Sequence, residues 1–580
     1  MSLPASSDND LPHLAKLTVT LVRLQDDLDS LKPVSVLNST KHHTTKEVLS
    51  LLKKRPLKIL LDGPPDDPLL QFVHKAACKG IVSAFFSFGI IAELVLKGLT
   101  KLWVFDAPEI VWASVFRWIE YLLLVNHNLS LDAFPPHLQP TMLNAVDAMA
   151  SVLEQFACLP ADTSRSIILS GGYDAVRDIV TIWLHWPRLL GSLQVRNNVA
   201  RMLRCTALLQ ALWRVLNDHE DTQAVLVAEL LRASRGDGQR LFRTLASHIN
   251  LIVAREDEIT GWLNLERLVW TVAALTSFPE LRERGFPRKM VRAAMSAMHL
   301  ALVQFQEAFV SAQELIAQMS RYDREALLIA LQHGLFPMLV RHHRIHPNSD
   351  TNLIHSLICC ALVLPAAVRR LYRSLKDVDQ DTMYHRDDQA LCHVAQQRHA
   401  LLQRADDDWK MIATCSNAIC TTSASTALHA CVCGEALYCS RVCQRMHWKV
   451  GQHRTECLLS PQVNDGQAAP LRARDLHFLV VIARAWLEEN FVRLSEEYAG
   501  SFLVKLDLSS VVLNHEVCAM PSTSTESTRV VTVQAMYQES GSARSRRIMF
   551  DPEWKRRQVR FRLLTDAHFD PMAGASSSSS

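Results

Sequence analysis

Apolar positions between residues 14 and 404 recur at steps of three and four, the spacing that lines one face of an α-helix. Val111, Val115, Trp118, Ile119 and Leu122 share one such face, and Asp106 with Glu109 forms a capping box with Pro108 inside the first turn, so a helix is predicted to start there. Leu265, Leu268, Val269, Val272 and Leu275 repeat the pattern until Pro279 stops it, and Val291 to Gln318 reads as one longer helix rich in Ala and Met. The longest apolar run, Gly80 to Ala92, ends at Glu93 and falls short of the ~20 residues a bilayer span needs, so a buried helix is predicted. Near the C-terminus the texture changes. Asp475 can cap a helix carrying Leu476, Leu479, Val480, Ala483, Trp486 and Leu487. Alternation then takes over at Phe502, Val504, Leu506 and Leu508, at Val531, Val533 and Ala535, and at Val559, Phe561 and Leu563, with polar residues 521–528 as a linker.

Composition sharpens this picture. Gly (18) and Pro (23) together are scarce in 580 residues, which disfavours glycine-punctuated β folds and favours long helices. The expected fold class is mainly α: a helical N-terminal region, a small two-zinc finger and a small α+β C-terminal module. Four segments restart an apolar stretch at a glycine: Gly80-Ile81-Val82, Gly172-Tyr173-Asp174, Gly285-Phe286-Pro287 and Gly334-Leu335-Phe336-Pro337. They resemble the openings of helices in armadillo-type repeats, which implies an α-solenoid; ordinary glycine caps in an irregular helical bundle account for the same residues. The expected layout is a disordered stretch 1–13, a helical repeat-like region 14–404, a zinc finger 410–460, an α+β module 470–570 and a disordered Ser-rich tail 571–580.

Lys and Arg number 62 against 59 Asp and Glu, spread without a basic block, so no nucleic acid or anionic membrane is expected as a partner. The first residues show neither a basic n-region nor an apolar h-region, and an intracellular place, cytoplasm or nucleus, is expected.

Cysteine placement carries the chemistry. Half of the 14 cysteines fall between Cys415 and Cys457. Ligand candidates there form four pairs: Cys415/Cys420, Cys431/Cys433, Cys439/Cys443 and His453/Cys457. Eight ligands supply two tetrahedral zinc sites with no open position. Residues four apart on a helical turn point to one side, and residues two apart on an extended segment share a face, with Gly434 free to turn behind Cys433. So few large apolar side chains could not fold alone, and metal is expected to supply the stability.

Tyr438-Cys439-Ser440, Cys443-Gln444, Trp448, His453 and Cys457 resemble the second half of the MYND zinc finger, over about a tenth of the chain. The resemblance implies an interleaved pairing: Cys415, Cys420, Cys439 and Cys443 on one zinc, and Cys431, Cys433, His453 and Cys457 on the other. The first half departs from the family, with four residues rather than two between Cys415 and Cys420 and one rather than two between Cys431 and Cys433, spacings similar to those of fungal members that place the finger after a long helical region. His429 stands as a substitute ligand. The resemblance also implies docking of proline-containing segments of partner proteins, with Gln444 and Trp448 as contacts; an exposed indole beside an amide suits a rigid polyproline backbone. Packing of Trp448 against neighbouring structure is the alternative.

Other constellations are weaker. Asn514-His515-Glu516-Val517-Cys518 resembles the methyl-donor border of SET-type lysine methyltransferases, many of which contain this finger, but no tyrosine-bearing segment or cysteine cluster follows it. His342, His343 and His346 read as cationic side chains at a helix C-terminus. Gly236-Asp237-Gly238 reads as a turn, and Arg544-Ser545-Arg546-Arg547 as a solvated loop ahead of a nuclear address. The expectation is a non-enzymatic zinc-binding adaptor with no small-molecule substrate. Its rivals are a SET-type enzyme, and a finger that is only a staple, with recognition left to the helical surface.

Overall fold

The computed structural model describes residues 10–29, 34–74, 77–99, 108–157, 159–169, 173–189, 206, 209–210, 213, 216, 220–254, 259–349, 351–378, 385–412, 414–421, 428–431, 436–451, 453–456, 473–498, 501–509, 513–519, 531–539, 542–550 and 563–564. The fold is mainly α, with one small sheet near the C-terminus. Two compact units divide it at residues 293 and 294. Among the described residues no helix is long and apolar enough to cross a membrane.

The first unit is built on helices α1 (Asp10–Asp29), α2 (Ala77–Leu96), α3 (Pro108–Leu122) and α4 (Gln139–Ala157). The apolar run does form a buried helix, α2, with Ile81, Phe85, Phe88 and Ile91 fully enclosed. Thr18 Oγ1 meets Ser87 Oγ at 2.9 Å and Gln25 donates to Glu93 at 2.7 Å, tying α1 along it. Where α2, α3 and α4 meet, Trp112 lies 5.1 Å from Phe88 and 5.1 Å from Phe156, and Phe116 meets Phe156 edge-on at 5.2 Å. Such edge-to-face contacts add to the area that aromatic rings bury. Asp106 of the capping box lies outside the described residues.

Further along, Gly236 adopts φ +71 and Asp237 accepts from Gln239 N at 3.0 Å, so the predicted turn is also the cap of α5 (Gly238–Val253). Helix α6 (Ile259–Leu275) buries Leu265, Leu268, Val269, Val272 and Leu275, as the spacing predicts.

The single helix expected over 291–318 is two: α7 (Arg288–Gln304) and α8 (Gln306–Tyr322). Phe305 is extended at φ −151 and ψ 93, and its carbonyl accepts from Phe309 to start the second helix. No glycine or proline marks that break. Of the four glycine restarts, Gly285 and Gly334 take left-handed backbone ahead of helices, Gly80 lies inside α2, and Gly172 is outside the described residues.

In the second unit, α9 (Leu335–Ile345), α10 (Asn352–Ala361) and α11 (Arg386–Ile412) each pack against the Pro365–Ser374 helix. Residues 429–438 form a hairpin of β1 (His429–Ala430) and β2 (Leu437–Tyr438), followed by α12 (Arg441–Val450), α13 (His453–Glu456) and α14 (Ala473–Glu497). Asp475 sits in the first turn of α14, not at its cap, because the helix already runs from Ala473. Asp406 of α11 is held by Arg369 at 2.8 Å and Arg474 at 2.6 Å, joining three helices.

The sheet comprises β3 (Phe502–Asp507), β4 (Asn514–Ala519), β5 (Val531–Glu539), β6 (Ser542–Phe550) and β7 (Leu563–Leu564) in the order β4-β3-β5-β6-β7. Only β3 and β5 are parallel. Phe502, Val504 and Leu506 face the core with Val531, Val533 and Ala535, and α10 and α14 pack against β5. The Arg544–Arg547 run is corrected from a loop to part of β6, since Arg544 pairs with Tyr537 and Arg547 with Gln534. Residues 521–528, Val559 and Phe561 lie outside the described residues.

Candidate metal centre

Local hydrogen bonds explain why four thiols meet. Cys420 N donates to Asn417 O at 2.9 Å, which turns the chain back so that Cys415 and Cys420 end one loop together. That loop is clamped to β2, with Ser416 N donating to Leu437 O at 2.7 Å and Leu437 N donating to Ser416 Oγ at 2.9 Å. Directly after β2 comes Cys439. Ser440 then caps α12, its hydroxyl accepting from Cys443 N at 3.2 Å, and this puts Cys443 in the first turn.

The sulfurs of Cys415, Cys420, Cys439 and Cys443 all lie within 4.8 Å of one another. Cys439 Sγ is 3.4 Å from both Cys420 Sγ and Cys443 Sγ, and all four cysteines are free of disulfides. Four thiolates around one tetrahedral ion with metal–sulfur bonds near 2.3 Å would stand roughly 3.8 Å apart, close to this spacing. Burial pushes the Cys415 thiol up to about 11. Hydrogen bonds from Asn417 and Ser440 pull the Cys443 thiol down, and it sits at a helix N-terminus, where the dipole favours negative charge. This donor set can hold a metal ion.

Of the other expected ligands, Cys431 and His453 are both buried and meet at 3.2 Å from Sγ to Nε2. Cys433 and Cys457 lie outside the described residues. His429 is exposed on β1 and stands outside the four-thiol cluster. His447 is committed elsewhere: its Nδ1 meets the buried Tyr438 hydroxyl at 2.9 Å, and its ring stacks on His453 at 5.2 Å. A β-carbon at residue 451 would collide with that ring, so Gly451 is required by close approach. Spacing does not reveal Ser416 or Asn417, because they act through contacts closed by the hairpin.

Gln444 and Trp448 lie one turn apart on α12, Gln444 half-buried and Trp448 38% exposed. The indole also meets His453 nearly edge-on at 5.8 Å. No residue of α12 is buried.

The reading of His342 as a helix-end cation is corrected. It does lie in the last turn of α9, but it is fully buried and stacked on Phe309 at 3.8 Å, and burial lowers it to about 4. Asn514 to Cys518 form most of β4, the edge strand paired to β3.

No protein-family model matches the chain, and no curated protein matches it. Among solved structures, the crystal structure of an engineered protein is similar at 12% identity and a TM-score of 0.28, covering 70% of this chain and 95% of that one. A likeness at that score carries no argument about fold or function.

Proposed function

We propose that residues 410–460 are a MYND-type finger holding two zinc ions, and that the protein is a non-enzymatic adaptor docking proline-containing segments of partner proteins. The observation that carries this reading is the convergence of Cys415 and Cys420 with Cys439 and Cys443, the first and third pairs of the interleaved scheme. Approach of His453 to Cys431 supports the second site, which Cys433 and Cys457 would complete. Four protein ligands at each site leave no open position, so the metal supplies rigidity rather than chemistry. Gln444 and Trp448 would form the docking platform, with the half-exposed indole offering its face to a proline ring and the amide a hydrogen bond to the peptide backbone.

The test is an array of proline-containing peptides probed with the zinc-loaded chain. The expected result is a subset bound by wild type and weakened by about tenfold or more, roughly 1.4 kcal/mol, in Trp448→Ala and Gln444→Ala. Equal binding by folded, zinc-loaded variants would remove the platform.

A second reading is favoured by the Trp448 contact with His453, which makes the indole part of the finger's own packing. There the finger is a staple and recognition lies on the helices. Deleting residues 410–460 separates the two, since a staple's loss unfolds its neighbours while a platform's loss removes only the peptide.

A further inference from the structure

A second cluster of metal-ligating side chains lies outside the finger. It draws on three elements of the second unit: His343 in the last turn of α9, His355 on α10 beside its cap residue Thr351, and Asp388 in the first turn of α11 with His385 just ahead of it. The ligand atoms of His343, His385 and Asp388 all lie within 4.8 Å of one another. Side-chain exposure is 1% for Asp388, 3% for His343 and 27% for His385.

Hydrogen bonds around the cluster aim it. Asp388 Oδ2 is 2.6 Å from His343 Nδ1, and its Oδ1 is 2.8 Å from His355 Nε2. His343 Nε2 is 2.6 Å from Thr351 Oγ1. His343 thus presents one ring nitrogen to the carboxylate and the other to the hydroxyl. Both Asp388 oxygens therefore face imidazole nitrogens where solvent does not reach. His385 adds the decisive atom. Its ring stacks on His343 at 4.1 Å, and its Nδ1 is buried with no hydrogen-bond partner among the described residues, 3.8 Å from Asp387 Oδ2. A ring nitrogen left so is costly, and a metal bond would recover that cost.

We propose that His343, His385 and Asp388 form a nitrogen- and oxygen-ligated zinc site, separate from the finger and independent of its reading. Two imidazoles and one carboxylate are a borderline-hard donor set suited to Zn²⁺. His355 is a positioning residue that holds the second carboxylate oxygen, and Thr351 holds the far ring nitrogen of His343, the outer-shell arrangement typical of histidine-ligated metals. Three protein ligands leave one coordination position for water or a small anion, unlike the closed thiolate site.

The test compares zinc content of the full chain, by elemental analysis, in wild type, His385→Ala and Cys439→Ser. The expected result is one zinc fewer per chain in His385→Ala with the finger's zinc retained, and a loss in Cys439→Ser that adds to it in the double variant. A second measurement needs no variant. Wild type whose finger is first filled with zinc is titrated with Co²⁺, and weak visible d–d bands without thiolate-to-cobalt charge transfer are expected. Equal zinc in folded wild type and His385→Ala, or a cobalt spectrum showing only thiolate bands or none, would overturn the proposal and leave a hydrogen-bond network.

Discussion

The aromatic core of the first unit and the finger are held by opposite means. Around Trp112, rings from three helices exclude water together. In the finger, α12 has no fully buried residue, and the core consists of Cys431, Ala436 and Tyr438 with the partly buried Cys415 and Cys443 against them. Three of those five residues are cysteines, and two of them belong to the four-thiol cluster. The first region can be weakened one methylene at a time, whereas the second should stand or fall with its ion.

The largest expected effect follows directly. Cys439→Ser removes the thiol that touches both neighbours, and it should cost the finger a zinc ion and its fold while leaving helical circular dichroism nearly unchanged. Trp112→Ala should do the reverse, destabilising the first unit by about 3–5 kcal/mol in denaturant unfolding without altering zinc content. Gly451→Ala forces the His447 ring from Tyr438, and a loss of about 1–3 kcal/mol is expected, read as faster amide exchange in residues 436–456.

The smallest effect concerns charge. Burial pushes the Asp406 carboxyl up, but hydrogen bonds from Arg369 and Arg474 hold it below its ordinary value. A carboxylate depressed in the folded state adds stability above its unfolded pKa, and that contribution fades as pH falls through the lowered value. Asp406→Asn should cost no more than about 1 kcal/mol at neutral pH, and nothing once acid has protonated the carboxyl, as denaturant titrations at each pH would show.

What could be read in advance divides along the same line. Helices α3 and α6 and the cysteine pairs were legible because periodicity and pair spacing are local signals, whereas the meeting of Cys415 and Cys420 with Cys439 and Cys443 was legible only through the resemblance to the MYND finger. The break at Phe305 carries no glycine or proline to announce it. Strand β4 is an exposed edge without apolar alternation, and β6 hides behind its arginines, since its place depends on pairing with β5. His343 and Asp388 are 45 residues apart, so only the packing of α9 against the start of α11 could bring them together.

Zinc removal tests most directly whether a metal holds residues 414–456 in their fold. Hydrogen exchange should be followed by mass spectrometry before and after a zinc chelator is added to the full chain. The predicted result is loss of protection confined to residues 414–456, with α2, α3 and α4 unchanged. Protection that persists across Cys415 to Cys443 after the zinc has gone would contradict it.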